Sequence, residues 1–215
     1  MRDLKLPITP ELLDYAIRHG SRQDEVLARI ERETLAMPRA SMLMTPDQGA
    51  LMTLLTRIAG ATRALEVGTF TGYGAISIAR GLAEGGSLGC LEVSEEYAGI
   101  ARSNLEAAGV ADRVSIRVGP AADALRAMPE VPTFDFVFLD ADKQGNPVYY
   151  ELVLPRMSSG GLVLIDNVLQ GGRVLAPDDE TTRTIHELNA FLASDERVDV
   201  ALVPVADGLT IVRKR

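Results

Sequence analysis

The stretch "LEVGTFTGYG", residues 65–74, reads as an apolar strand that runs into a glycine-rich turn and then into a helix. In an open α/β sheet, ligands bind beyond the carboxyl ends of the strands, where the strand order reverses, and the turn after the first strand is the expected place. Gly68 and Gly72 let the backbone approach a ligand closely, and the helix that follows begins with unpaired N–H groups. A phosphate-binding P-loop requires Gly-Lys-Ser/Thr, which is absent. The dinucleotide fingerprint requires Gly-x-Gly-x-x-Gly, whereas these glycines run Gly68-x-x-x-Gly72-x-Gly74.

Outward from this turn the chain has two textures. Residues 1 to about 60 read as helices. Thr9-Pro10 and Thr45-Pro46 each place an N-cap before a proline at the first helical position, and Thr45 with Gln48 has the form of a capping box. Leu51, Leu54, Leu55 and Ile58 then recur at helical spacing. From residue 61, short apolar runs ("ATRALEVG", "SLGCLEV", "VSIRVG", "FDFVFLDA", "GGLVLIDN") alternate with amphipathic segments such as "EEYAGIARSNLEAAG" and "NPVYYELVLPRM". That alternation predicts a mostly parallel, doubly wound Rossmann-like α/β sheet covered on both faces. After a last helix, "ETTRTIHELNAFLAS", the runs "VDVALVPV" and "LTIVRKR" flank Ala206-Asp207-Gly208, a hairpin signal that predicts an antiparallel pair closing the sheet. The expectation is one domain over residues 1–215, of which 1–60 form a helical N-terminal extension.

A net charge of −8 argues against a broad basic surface for nucleic acid or anionic membrane. No N-terminal apolar segment or membrane-length run is apparent, so a cytoplasmic protein is the expectation. Cys90 stands alone and reads as an inert core thiol. His19 and His186 lie far apart in sequence, so one cysteine and two histidines argue against a Cys/His zinc site, and any metal is expected to be held mostly by oxygen.

Two acids select among ligands for the turn. Glu66 lies just before Gly68, where a carboxylate repels a pyrophosphate and attracts an ammonium group. Glu92 ends the second strand, where a carboxylate can accept ribose hydroxyls. An adenosine that carries an amino acid satisfies both, which points to S-adenosylmethionine.

A second constellation lies further on. "FLDADK" puts Asp140, Asp142 and Lys143 at the end of the fourth strand, and "LIDN" puts Asp166 and Asn167 at the end of the fifth. If these strands are neighbours, Asp140, Asp166 and Asn167 converge as hard oxygen ligands suited to Mg2+, Mn2+ or Ca2+. Lys143 beside such a cation is a candidate base, because neighbouring positive charge favours the neutral amine.

At these residues the chain resembles the cation-dependent O-methyltransferases, the group of caffeoyl-CoA and catechol O-methyltransferases, and most closely their small bacterial members. The resemblance runs from "LMTPDQG" through "LEVGTFTGY", "GVADRV", "FDFVFLDADK" and "GGLVLIDNVL" to "DGLTIVRKR". It implies that Met44, Glu66, Gly68, Thr69, Glu92, Ala121 and Asp142 contact S-adenosylmethionine, with Asp140 and Gly74 at the same site. It implies further that Asp140, Asp166 and Asn167 hold the metal and that Lys143 is the base. Gly74 stands where the family often has a serine for the methionine carboxylate, which leaves that contact to backbone or water. Asn146-Pro147 and Gln170 replace a tyrosine with an apolar residue and a tryptophan, which reshapes the substrate wall, whereas Tyr149 matches. Tyr149, Gln170 and Arg173 are the substrate candidates. A homodimer, with the N-terminal helices at pocket and interface, is also implied. The expected reaction is O-methylation of a vicinal dihydroxy, phenolic small molecule. A hydroxyl on a modified tRNA base and a catalytically silent nucleotide-binding module are the alternatives.

Overall fold

The computed structural model describes residues 7–215. Three helices come first: α1 (Pro10–Gly20), α2 (Glu25–Leu35) and α3 (Pro46–Ile58). Strands and helices then alternate through β1 (Arg63–Val67), α4 (Tyr73–Gly81), β2 (Ser87–Glu92), α5 (Glu95–Ala107), β3 (Val114–Val118), α6 (Ala121–Arg126), β4 (Phe134–Leu139), α7 (Asn146–Val153) and β5 (Met157–Asp166). Helix α8 (Glu180–Ser194) leads to the hairpin β6 (Val198–Val203) and β7 (Leu209–Lys214). The seven strands lie in the order β3-β2-β1-β4-β5-β7-β6, with β7 antiparallel to both β5 and β6. The doubly wound sheet and its antiparallel closing pair are those expected from the sequence.

Alternation along the strands builds the two faces. Val137 and Leu139 point into a core shared with Tyr150 of α7 and Ile185 of α8, while Phe136 and Phe138 point to the opposite core, shared with Ile30, Met52, Ile76 and Leu105. Burial on both faces explains why these strands read as continuous apolar runs.

The helical extension departs from the sequence reading at the start of α3. Thr45 is the N-cap of α3 but its side chain makes no capping bond, and Gln48 is buried at 2% exposure, so the capping box does not form. The residues read at helical spacing in α3 do form a helix, in which Leu51 and Leu55 are half-buried against the core while Leu54 and Ile58 are 54% and 70% exposed. The buried face is Gln48, Gly49, Met52 and Thr56. Close approach to α4 is the reason: a Cβ on Gly49 would lie 2.7 Å from Cε1 of Tyr73, so small residues must face inward there.

The sheet order reverses between β1 and β4, and both strand ends are pinned there. The Gly68 N–H donates to the Leu91 carbonyl (2.9 Å) and the Asp140 N–H to the Val67 carbonyl (2.8 Å). Gly68 has φ +92, and a Cβ on it would collide with the Asp140 carbonyl. Gly68→Ala is therefore expected to lose about 1–3 kcal/mol of stability from the backbone conformation alone. For a chain of this size that lowers the melting temperature by several degrees. A variant that melts with the wild type would show that this approach is not constrained.

Candidate active site

The turn after β1 is held from three directions. From β2, one carboxylate oxygen of Glu92 accepts the N–H groups of Thr69 (3.0 Å) and Phe70 (2.9 Å), and the other accepts the N–H of Ser94 (2.9 Å). From α5, Asn104 Nδ2 donates to the Thr71 carbonyl at 2.9 Å. From α2, the Thr34 hydroxyl bonds that of Thr71 at 3.0 Å. These contacts stabilise a backbone that includes Phe70 at φ 48, a conformation uncommon outside glycine. Glu92 thus organises the turn as well as facing its ligand space, a role that its position in the sequence alone does not reveal.

Above the turn lies a cavity of about 560 Å³, within the range of small-molecule sites. Every residue expected at the cofactor lines it: Met44, Glu66, Gly68, Thr69, Gly74, Glu92, Ala121, Asp140 and Asp142. Lys143 and Tyr149 line it too. Sequence reasoning missed Arg39, Phe70 and Val93 on the same walls. Val93, 73% exposed, is apolar surface at the cavity, and its place directly after Glu92 was the available signal. Arg39 carried no such signal, since its left-handed backbone (φ 68) is visible only in the fold.

Buried acidic groups line this cavity. Glu66 is 1% exposed and its Oε2 has no hydrogen-bond partner. Burial first, and the charge of Asp140 second, push its carboxyl up to about 8. The missing side chain of Gly74 makes room for it, because a Cβ there would lie 2.5 Å from Glu66 Oε1. This carboxyl is ready to ionise against a cationic ligand group.

At the neighbouring strand ends, Leu139 pairs with Ile165, so Asp140 and Asp166 leave β4 and β5 at the same level. Burial and the Asp140 charge raise the Asp166 carboxyl to about 6, and burial raises Asp140 against the opposing pull of Lys143. Lys143 Nζ stands 2.7 Å from Asp140 Oδ1, with 17% and 21% of the two side chains exposed. Gln48 reaches the same corner, where its side chain lowers the Asp166 carboxyl. Asn167 follows Asp166 in a left-handed conformation (φ 57). Among the described residues, no three His, Cys, Asp or Glu side chains form a metal-holding group, so a cation here would require the carboxamide of Asn167 as well as the two carboxylates. Two carboxylates raised by burial, with the charge of Asp140 adding to the shift of Asp166 and Lys143 paired to Asp140, suit a hard divalent ion.

The substrate candidates divide. Tyr149 donates its hydroxyl to Asp142 Oδ1 at 2.5 Å, on the cavity wall. Gln170 and Arg173 lie in the loop after β5 and are engaged within it. Gln170 Nε2 donates to the Asn167 carbonyl (2.8 Å), and Arg173 pairs with Asp179. Neither lines the cavity. Asn146 is fully buried and both of its amide atoms lack partners, at the position that breaks the family pattern. Cys90 is buried, its thiol pushed up by burial, as an inert core residue should be.

Comparisons with known proteins agree on a family. The family model described as O-methyltransferase matches residues 17–215. A caffeoyl-CoA O-methyltransferase of Zea mays is 33% identical over 90% of this chain and 80% of its own length. Among solved structures, an O-methyltransferase from Bacillus cereus in complex with SAH is 34% identical, with a TM-score of 0.86 over 94% of this chain and 96% of that one. TomG from Streptomyces achromogenes, in complex with SAM, is 31% identical with a TM-score of 0.84 over 94% of each chain. With nearly its whole length matched in sequence and in fold, this chain belongs to the O-methyltransferase family.

Proposed function

We propose that this enzyme transfers the methyl group of S-adenosylmethionine to one oxygen of a vicinal dihydroxy, catechol-like small molecule, with a divalent cation at the reacting oxygens. The observation that carries this reading is continuity: one cavity is lined by Glu66 and Glu92 from β1 and β2 and by Asp140 and Lys143 from the end of β4. The whole chain is read as one methyltransferase domain acting in the cytoplasm, where a lone reduced cysteine is at home.

Each residue then has a task. Glu66 takes the α-ammonium group, which compensates its buried charge. Glu92 already accepts three backbone N–H bonds of the roughly four that a carboxylate can take, so Oε1 has room for one ribose hydroxyl. A second requires release of a turn N–H. Leu91, Val93 and Ala121 offer apolar surface to the adenine. Asp140, Asp166 and Asn167 would hold the cation, which would supply Lewis acidity toward the reacting hydroxyl. Lys143 accepts the phenolic proton at Nζ. Tyr149, fixed by Asp142, borders the acceptor side. Much of the rate gain comes from orienting the two reactants.

A homodimer is part of the reading. Helix α1 buries none of its residues, and α3 leaves Leu54 and Ile58 exposed. Since α1 packs on α3, this apolar surface fits a second copy of the chain.

The test is methyl transfer from S-adenosylmethionine to a panel of catechols, matched monophenols and tRNA that carries a hydroxylated base. Transfer to catechols but not monophenols is the expected result, and transfer to tRNA alone would overturn the small-molecule reading. Glu92→Ala is expected to weaken S-adenosylhomocysteine binding by about 1–3 kcal/mol in calorimetry, because both the ribose and the turn lose an acceptor. Unchanged affinity in a folded variant would remove Glu92 from the cofactor site.

A further inference from the structure

The loop after β5 carries Asn167 and Gln170 on a backbone that no short sequence motif dictates. Asn167 (φ 57), Gln170 (φ 50), Gly171 (φ 63) and Gly172 (φ 86) all lie in the left-handed region, and two of the four are not glycine. Such a path needs support from outside the loop. The tip of the β6–β7 hairpin supplies it. Past the last ladder pair, Asp166 with Leu209, the tip continues to accept bonds. The Gly208 carbonyl takes the Val168 N–H (3.1 Å), the Asp207 carbonyl takes the Leu169 N–H (2.9 Å), and Asp207 Oδ1 takes the Gly171 N–H (2.6 Å). On the other side, Asn189 of α8 donates Nδ2 to the Val168 carbonyl at 2.8 Å. The hairpin turn closes without the Asp207 side chain, through the Gly208 N–H to the Val205 carbonyl (2.8 Å). The carboxylate therefore serves the loop and not its own turn.

We propose that Asp207 is a positioning residue for the cation centre: by holding Leu169 through its carbonyl and Gly171 through its carboxylate it sets the left-handed turn that keeps Asn167 at the strand edge shared by Asp140 and Asp166. The proposal rests on the reading of those three residues as cation ligands. Groups that orient metal ligands typically change metal affinity by about 10- to 100-fold when removed. Gly208 belongs to the same device, since a Cβ there would lie 2.5 Å from Cγ of Leu169.

The experiment measures Mn2+ binding to the full chain by electron paramagnetic resonance and S-adenosylhomocysteine binding by calorimetry. Asp207→Ala is expected to weaken Mn2+ about tenfold, with S-adenosylhomocysteine affinity unchanged. Asp207→Asn keeps a side-chain oxygen acceptor and is expected to bind Mn2+ nearly as wild type does. Should Asp207→Ala fail to fold, Asn189→Ala releases the same loop from the other side and is expected to weaken Mn2+ in the same direction. Wild-type Mn2+ affinity in whichever of these two variants is folded overturns the proposal. So does an Asp207→Asn variant as weak as Asp207→Ala, or a parallel loss of S-adenosylhomocysteine. Asp166→Ala is the reference: if wild type binds Mn2+ no better than Asp166→Ala, the cation reading itself fails and takes the proposal with it.

Discussion

Removal of divalent cations with excess chelator is expected to lower turnover by more than about 10³-fold, since polarisation of a reacting oxygen contributes several kcal/mol to the transition state. Added Mg2+ or Mn2+ should restore it. Binding of S-adenosylhomocysteine should largely persist in the chelated protein. Its main proposed holds, Glu66, Glu92 and the turn backbone, lie at the ends of β1 and β2, and of the cation's ligands only Asp140 is shared with the cofactor, Asp166 and Asn167 lying at the end of β5. The raised Asp140 and Asp166 carboxyls describe the same division: without a positive partner beyond Lys143, these groups hold protons more tightly than ordinary aspartates. Assay of initial rates against free cation concentration, with calorimetry on the same samples, checks both halves. Full activity in chelator would reject the cation mechanism, and joint loss of activity and cofactor binding would place the cation at the cofactor instead.

The parts of this site that the sequence made legible share a property: they sit at strand ends, and a strand end is written locally. Continuous apolar runs locate β1, β2, β4 and β5, and the first polar residue after each run, or the last within it, is the residue delivered to the sheet edge. Glu92, Asp140 and Asp166 were found in that way, and Gly68 by the need for a tight turn. What the sequence hid depends on packing between distant segments. The apolar spacing of Leu51, Leu54, Leu55 and Ile58 gave the helix but not its facing: the contact with Tyr73 requires Gly49 inside and leaves Leu54 and Ile58 outward. Gln48 looked like a cap and instead lies buried beside Asp166. The three N–H bonds to Glu92 and the hairpin's hold on residues 168–171 join segments more than 20 residues apart, except for that to Ser94. Periodicity and short motifs do not reach across such separations. The ligand set was therefore readable, and the scaffold that orients it was not.

Replacement of Lys143 separates two roles that the geometry allows. In this structure Nζ is paired with Asp140 Oδ1 at 2.7 Å, an arrangement that suits an ammonium. A base must be neutral before transfer, so Lys143 would act as one only with the Asp140 carboxylate engaged elsewhere, as ligation of a cation would engage it. The two predictions are thereby linked: the condition that frees Lys143 is the one that chelation removes. If proton removal is its task, Lys143→Ala should lower kcat by about 10²–10⁴-fold. Its affinity for S-adenosylhomocysteine should change little. Lys143→Arg keeps a positive charge beside Asp140 but cannot be deprotonated, since the guanidinium pKa lies above about 12. It should be nearly as slow as Lys143→Ala. The pH profile gives a further check, because loss of the base should abolish a limb of the rate profile that a fixed charge would leave in place. An arginine variant close to wild type, with its melting temperature intact, would reassign Lys143 to charge stabilisation. Deprotonation would then be left to the acidified hydroxyl and water, with Lys143 serving only to hold Asp140 in place.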